Sequence, residues 1–164
     1  MHFIEKERRF MDMMNQTSEE IRNPRLIEAM RAMLRHDNAK TRGHMAEELM
    51  ASRLLAPVQR QTILTEREGP STRVRFEDIQ NSEGDKYYLA FTDIEEYNKW
   101  NEDGTHDQAL IMTMEDFGNI LIRNINDLKG FVINPFGENI SISKSLLLSL
   151  LKQKEAREHA SLEN

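Results

Sequence analysis

The chain has 164 residues, of which 38% are hydrophobic and 30% charged, with a net charge of −6. That is length for one domain and apolar content for a core, so intrinsic disorder is expected only at the ends. The absence of cysteine excludes disulfides, thiolate nucleophiles and cysteine-ligated zinc, and no apolar run approaches the ~18 residues of a membrane span.

The N-terminus, Met1 to Arg9, mixes both charge signs around Phe3 and Ile4 and has no apolar core like that of a secretory signal. A cytoplasmic protein without membrane contact is expected. Charge is uneven along the chain: residues 1–65 carry a net +2, residues 66–129 a net −8, and residues 130–164 balance. A nucleic-acid binder needs a basic stripe to displace counterions, and none is visible. The acidic middle points instead to a protein partner with a basic surface.

Residues 4–15 are rich in Met and charge, and a loose amphipathic helix there would carry Phe10, Met11, Met13 and Met14. Unbranched Met adapts to irregular surfaces, so this segment leaves self-association into a homo-oligomer open. Residues 1–21 are therefore read as a leader. Asn23-Pro24 starts the first firm helix, with Asn as cap and Pro in the first turn. Leu26, Ile27, Met30, Met33 and Leu34 then form one apolar stripe. His36-Asp37-Asn38 breaks it. A second helix is predicted from Thr41 to Leu54, with Met45, Leu49 and Met50 inward and Glu47, Glu48 and Arg53 outward. The pair makes a helical hairpin that Pro57 ends.

Val74 and Phe76 alternate with Arg73, Arg75 and Glu77, the pattern of a half-buried strand. The turn Asn81-Ser82-Glu83-Gly84 leads into Lys86 to Phe91, and the two runs are expected to pair as a β-hairpin. Thr92-Asp93-Ile94-Glu95 is a capping box for a short helix ending near Trp100. After the loop 101–107, Ala109 to Met112 is a small strand. A second box, Thr113 to Asp116, opens a helix that buries Met114, Phe117, Leu121 and Ile125. Phe131 to Ile133 is a strand, Asn134-Pro135-Phe136-Gly137 a turn in which Gly137 supplies a positive φ, and Ile140 to Ile142 the returning strand. A last helix from about Ser143 packs Leu146, Leu147, Leu150 and Leu151 and runs out into a charged tail, residues 152–164. The fold class is α+β: an N-terminal helical hairpin, then a mixed β-sheet with helices packed on it, in a single domain over residues 22–151.

Tyr88-Leu89-Ala90-Phe91-Thr92-Asp93-Ile94-Glu95-Glu96 resembles the strand-then-helix signature of the SseB-like (enhanced serine sensitivity) N-terminal domain. Leu110 to Ile122 fits the strand and helix that follow. Gly130-Phe131-Val132-Ile133-Asn134-Pro135 matches that family's segment of glycine, apolar run and Asn-Pro. Upstream, Asn23-Pro24 and the exit Leu54 to Val58 also fit, so the resemblance covers residues 22–150. It implies a bacterial cytoplasmic domain with no catalytic residues to carry over; longer relatives have a second, C-terminal domain.

Chemistry-bearing patterns are few. The histidines are His2, His36, His44, His106 and His159, and no Gly-x-Ser-x-Gly elbow presents a serine to any of them. His44 with Glu47 or Glu48 could share a helix face and hold a metal, with His36 nearby, but such spacing is ordinary helix surface. The loop 101–107 places Asn101, Asp103 and Gly104 like a calcium loop, yet Lys99 and Leu110 stand where ligating acids are needed. The seven glycines are scattered and spell no nucleotide-binding fingerprint. Neither cofactor nor metal is expected, and the chain is read as non-enzymatic.

Two groups built around an aromatic remain. Trp100, beside Tyr97, precedes Glu102, Asp103 and Asp107. The turn Asn134, Pro135, Phe136 and Gly137 would put Phe136 at a tip. Turn closure and core packing account for both, but either could also anchor a partner. The expectation is a protein-interaction or regulatory module that binds through Trp100, Glu102, Asp103, Asp107 and the four residues of that turn. The alternative is a small-molecule binding domain or an unrecognised hydrolase, with His106, Asp107 and Asn134 converging on a cleft.

Overall fold

A computed structural model describes residues 17–106, 108–123 and 127–163. Among the described residues five α-helices and seven strands follow one another: α1 (Pro24–Arg35), α2 (Ala39–Met50), β1 (Leu54–Thr65), β2 (Gly69–Phe76), β3 (Asp78–Gln80), β4 (Lys86–Ala90), α3 (Ile94–Trp100), β5 (Ala109–Met112), α4 (Met114–Arg123), β6 (Leu128–Ile133), β7 (Ile140–Ser143) and α5 (Lys144–Glu163). The expected α+β architecture, helical hairpin first and mixed sheet after, is what forms.

β4 and β6 run parallel, and every other pairing is antiparallel. The order β3-β4-β6-β7 makes one sheet and β2-β1-β5 the other. They meet where Leu55 and Phe91 exchange N–H···O bonds of 2.8 and 2.9 Å. Alternation splits the apolar residues of these strands between two layers. Leu54, Ala56, Tyr88, Ala90, Phe131 and Ile133 pack with α1, α2, α4 and α5. Leu55, Leu89, Phe91 and Val132 pack with Tyr97 of α3 and with Ile21. Ile21, read as part of the leader, is thus buried, just after a 3₁₀ turn at Ser18–Glu20. The Phe10 to Met14 cluster lies outside the described residues, as do Ile125 and Asp107.

Several local expectations are corrected. The second helix stops at Met50, and Leu54 begins a strand of 12 residues that periodicity did not reveal. Leu54 to Val58 is buried on both faces, so it shows an unbroken apolar run rather than alternation. Pro57 does not end a helix; it sits where β1 changes neighbours from β5 to β2. There only its carbonyl is used, accepting from Glu77 N at 3.0 Å, which is the kind of strand position proline tolerates.

The hairpin turn at 81–84 forms, but its first arm is Asp78–Gln80, whereas Gly69–Phe76 pairs with β1. Val74 is consequently exposed rather than half-buried. Leu34 and Leu146 also face solvent instead of the core. The first capping box does not form at Thr92. Asp93 caps α3 by accepting from Glu96 N, while Thr92 is fully buried. The second box forms as expected, with Thr113 N donating to Asp116 and Asp116 N to Thr113 Oγ1. Asn23 does not cap α1. Its amide donates to Arg53 O and Thr92 O, each at 2.8 Å, tying the start of α1 to both sheets. The tail beyond 152 stays helical through Glu163.

Candidate partner-binding site

Where β6 runs out, Asn134 is fully buried with φ of 51°. A left-handed residue there is one that Asn adopts more readily than other side chains. Its main-chain N–H donates to Ala90 O at 2.9 Å, and its carbonyl accepts from both Gly137 N and Asn139 N at 2.8 Å. The side chain uses both ends. Oδ1 accepts from Thr92 N at 3.0 Å, and Nδ2 donates to Thr92 Oγ1 at 2.9 Å and Glu138 Oε1 at 2.8 Å. Thr92 Oγ1 in turn donates to Asp93 Oδ2 at 2.9 Å, and Arg31 Nε reaches Glu138 Oε2 at 3.3 Å. One asparagine therefore locks together the end of β6, the start of α3 and the turn itself. Such a buried polar network is rigid when its members are satisfied.

Gly137 does not supply a positive φ; the left-handed residues of this turn are Asn134 and Asn139. A Cβ at Gly137 would lie 2.9 Å from Glu96 Oε2 and 3.0 Å from Oε1. Glu96 Oε1 accepts from Lys99 Nζ at 2.6 Å, a hydrogen bond that pushes the Lys99 ammonium above its usual range. Glu96 and Glu138 thus flank the turn, with Asp93 hydrogen-bonded to Thr92 beside it, partly offset by Lys99 and Arg31. Pro135 is half-buried. Phe136 is 59% exposed at the tip.

One helical turn beyond Glu96 stands Trp100. Its ring is 4.2 Å from that of His106, 5.8 Å from Phe91 and 5.9 Å from Tyr97, centroid to centroid. The following loop closes on itself. Tyr97 OH donates to His106 O at 2.8 Å, His106 N to Asn101 Oδ1 at 2.9 Å, and Thr105 N and Oγ1 to Asp103 Oδ1. The backbone N–H of Thr105, and then its hydroxyl, hold the Asp103 carboxyl below the usual carboxylate range. Glu102 and Asp103 remain on the surface and line a shallow depression with Trp100 and His106.

The two groups singled out from the sequence therefore flank one short helix, the turn over its first half and Trp100 at its end. His106 and Asn134 do not converge. Every polar group of the Asn134 side chain is already engaged, and His106 lies against Trp100 with Nδ1 3.7 Å from Glu77 Oε1. Of the metal candidates, Glu48 pairs with Arg25 at 3.0 Å, and among the described residues no three His, Asp or Glu side chains are grouped as ligands. Thr92, Glu138 and Arg31 were missed. They lie 42, 4 and 103 residues from Asn134, and only Glu138 has a local signal, as a carboxylate just after the turn.

The fold and the braced turn define an α+β domain of two helix-flanked layers around a mixed sheet. The family described as SseB protein N-terminal domain matches residues 26–147, and the chain belongs to that family. No curated protein and no solved structure gives a significant match. Among the described residues no helix is long and apolar enough to cross a membrane.

Proposed function

We propose that this chain is a non-enzymatic module of the bacterial cytoplasm that binds a protein partner, with Phe136 as the anchor. The observation that carries this is a contrast across two residues: Asn134 is 0% exposed and fully hydrogen-bonded, and Phe136 is 59% exposed. An aromatic side chain on a rigid turn loses little freedom on docking, which is how preorganised anchors gain affinity. The carboxylates around the turn and on the 101–103 loop would steer a basic partner towards it. Trp100 is less available than Phe136, being packed between Phe91 and His106.

The test is a pull-down from bacterial lysate at low and high salt. Wild type, Phe136→Ala and a Glu102→Gln/Asp103→Asn double variant would be compared. One protein enriched by wild type, lost with Phe136→Ala and weakened by salt and by charge neutralisation supports the module. Retention unchanged in both variants sinks it. A small-ligand reading is favoured by one feature, a polar cleft between β2 and β4 lined by Arg73, Arg75 and Lys86 beside Asp78 and Asp127. A rise in melting temperature with anionic metabolites, abolished in Arg73→Gln/Arg75→Gln, would favour that reading instead.

A further inference from the structure

β1 outruns its neighbours. β5 covers it only from Leu54 to Pro57, and β2 flanks the other side from Val58 to Thr65. Val58 N donates to Gln108 O on the β5 side, while Pro57 O accepts from Glu77 N on the β2 side. N–H and C=O of one residue point to the same side of a strand, and successive residues alternate. Arg60, Thr62 and Leu64 therefore turn both main-chain groups towards the edge that no described strand covers. From Gln59 to Thr65 every residue but half-buried Ile63 is exposed, Leu64 by 80%. A two-stranded ribbon on its own is marginally stable in water, and an open edge is a template for another strand.

We propose that a second copy of this chain supplies that strand. The β1 edges of two copies pair antiparallel about a twofold axis at Thr62, joining two ribbons into one four-stranded sheet in the order β2-β1-β1-β2. The residues select this register. With Thr62 opposite Thr62, Arg60 lies opposite Leu64 and Gln61 opposite Ile63, so no like charges meet. Thr62 with Thr62, and Arg60 with Leu64 twice, become the pairs that exchange both main-chain hydrogen bonds. Glu66 of one copy falls diagonal to Arg60 of the other, within reach of an ion pair.

Side chains agree as well. Arg60 is paired with Val74 and Leu64 with Pro70 inside each ribbon, so one face of the joined sheet reads Val74, Arg60, Leu64, Pro70 across the axis. The Arg60 methylenes lie between apolar neighbours. The outer edge of β2 is a poorer template, since its outward row includes Pro70, which has no N–H to offer. This inference is independent of the Phe136 docking site, which lies on another part of the fold.

The experiment is light scattering of the full chain during gel filtration. Wild type is expected at twice the 19.2 kDa chain mass, and Thr62→Pro at the single mass. Thr62 N–H points away from β2, so this proline leaves the ribbon's own ladder intact. Thr72→Pro, directly across the ribbon, should stay dimeric. Thr62→Cys in this cysteine-free chain should form a covalent dimer on mild oxidation, and Thr72→Cys should not. A wild type of single mass up to its solubility limit overturns the proposal, as does a dimer that survives Thr62→Pro. The first would mean that the edge stays open or is covered by this chain's own residues 1–16; the second, that a different surface pairs.

Discussion

The Asn134–Asn139 turn and the β1–β2 ribbon are both held by backbone hydrogen bonds, yet they differ in what surrounds those bonds. The turn is short, but its first residue, Asn134, is wholly buried and hydrogen-bonded to Thr92 and Glu138, and Arg31 of α1 holds Glu138 in turn. The ribbon has eight paired positions and almost no burial. A main-chain hydrogen bond contributes little net stability when water competes for both partners. A buried donor left without its partner costs about 1–3 kcal/mol. Burial, not the number of ladder bonds, separates a rigid platform from an adaptable arm.

The sharpest way to break the turn is from beneath. Gly130 lies on β6, the strand that delivers Asn134, and a Cβ there would stand 1.9 Å from Ile142 O. Backbone cannot yield at that distance, so Gly130→Ala should lose about 4 kcal/mol or fail to fold, measured by urea denaturation. Asn134→Ala comes next, at about 3 kcal/mol, since it strands the buried Thr92 N–H and places alanine at positive φ. Asn134→Gly keeps the backbone geometry without strain and should cost about 1 kcal/mol less than the alanine variant. Equal losses would show that φ contributes nothing.

A smaller effect calibrates the surface. Glu115 of α4 accepts a hydrogen bond from Lys154 of α5. Burial, the largest single influence on Glu115, pushes its carboxyl up, but Lys154, backbone N–H and Thr113 together bring it below the ordinary value. A carboxyl lowered in the folded state stabilises above its unfolded pKa of about 4.3 and loses that contribution as pH falls through the folded value. Both side chains are 40% or more exposed, so the pair should contribute less than about 1 kcal/mol. The melting temperature of Glu115→Gln should fall less steeply than that of wild type below pH ~4.3. Parallel curves would remove Glu115 from the account.

The smallest changes belong to the ribbon and the tip. Thr72→Ala and Phe136→Ala should each alter unfolding free energy by no more than about 0.5 kcal/mol. Amide exchange sharpens the contrast. Thr92 N–H should exchange slowly at any protein concentration. Thr62 N–H should be protected only where two β1 edges meet, and lose that protection on dilution. Equal, concentration-independent exchange at both positions would erase the distinction.

Much of the fold was legible from local chemistry. Helix α1 followed from its stripe, α4 from Thr113 and Asp116, and β6 from an apolar run closed by Asn134-Pro135. These are short-range signals, each within one turn or one strand. β1 was not legible, because Leu54 to Val58 is buried on both faces and loses the period of two that marks a half-buried strand. Of the candidate site, the turn and its exposed Phe136 were visible from the sequence. The reason for the turn's rigidity was not.

By itself the sequence determined the fold class, the family signature and the position of the Asn134 turn, since each depends on neighbours a few residues apart. Tertiary structure alone decided that β2 pairs with β1 and that Gly137 lies against Glu96. It also decided that Asn134 is braced by Thr92, 42 residues away. Strand pairing and burial of polar groups depend on which distant segments exclude water together, and no local pattern of residue types encodes that choice.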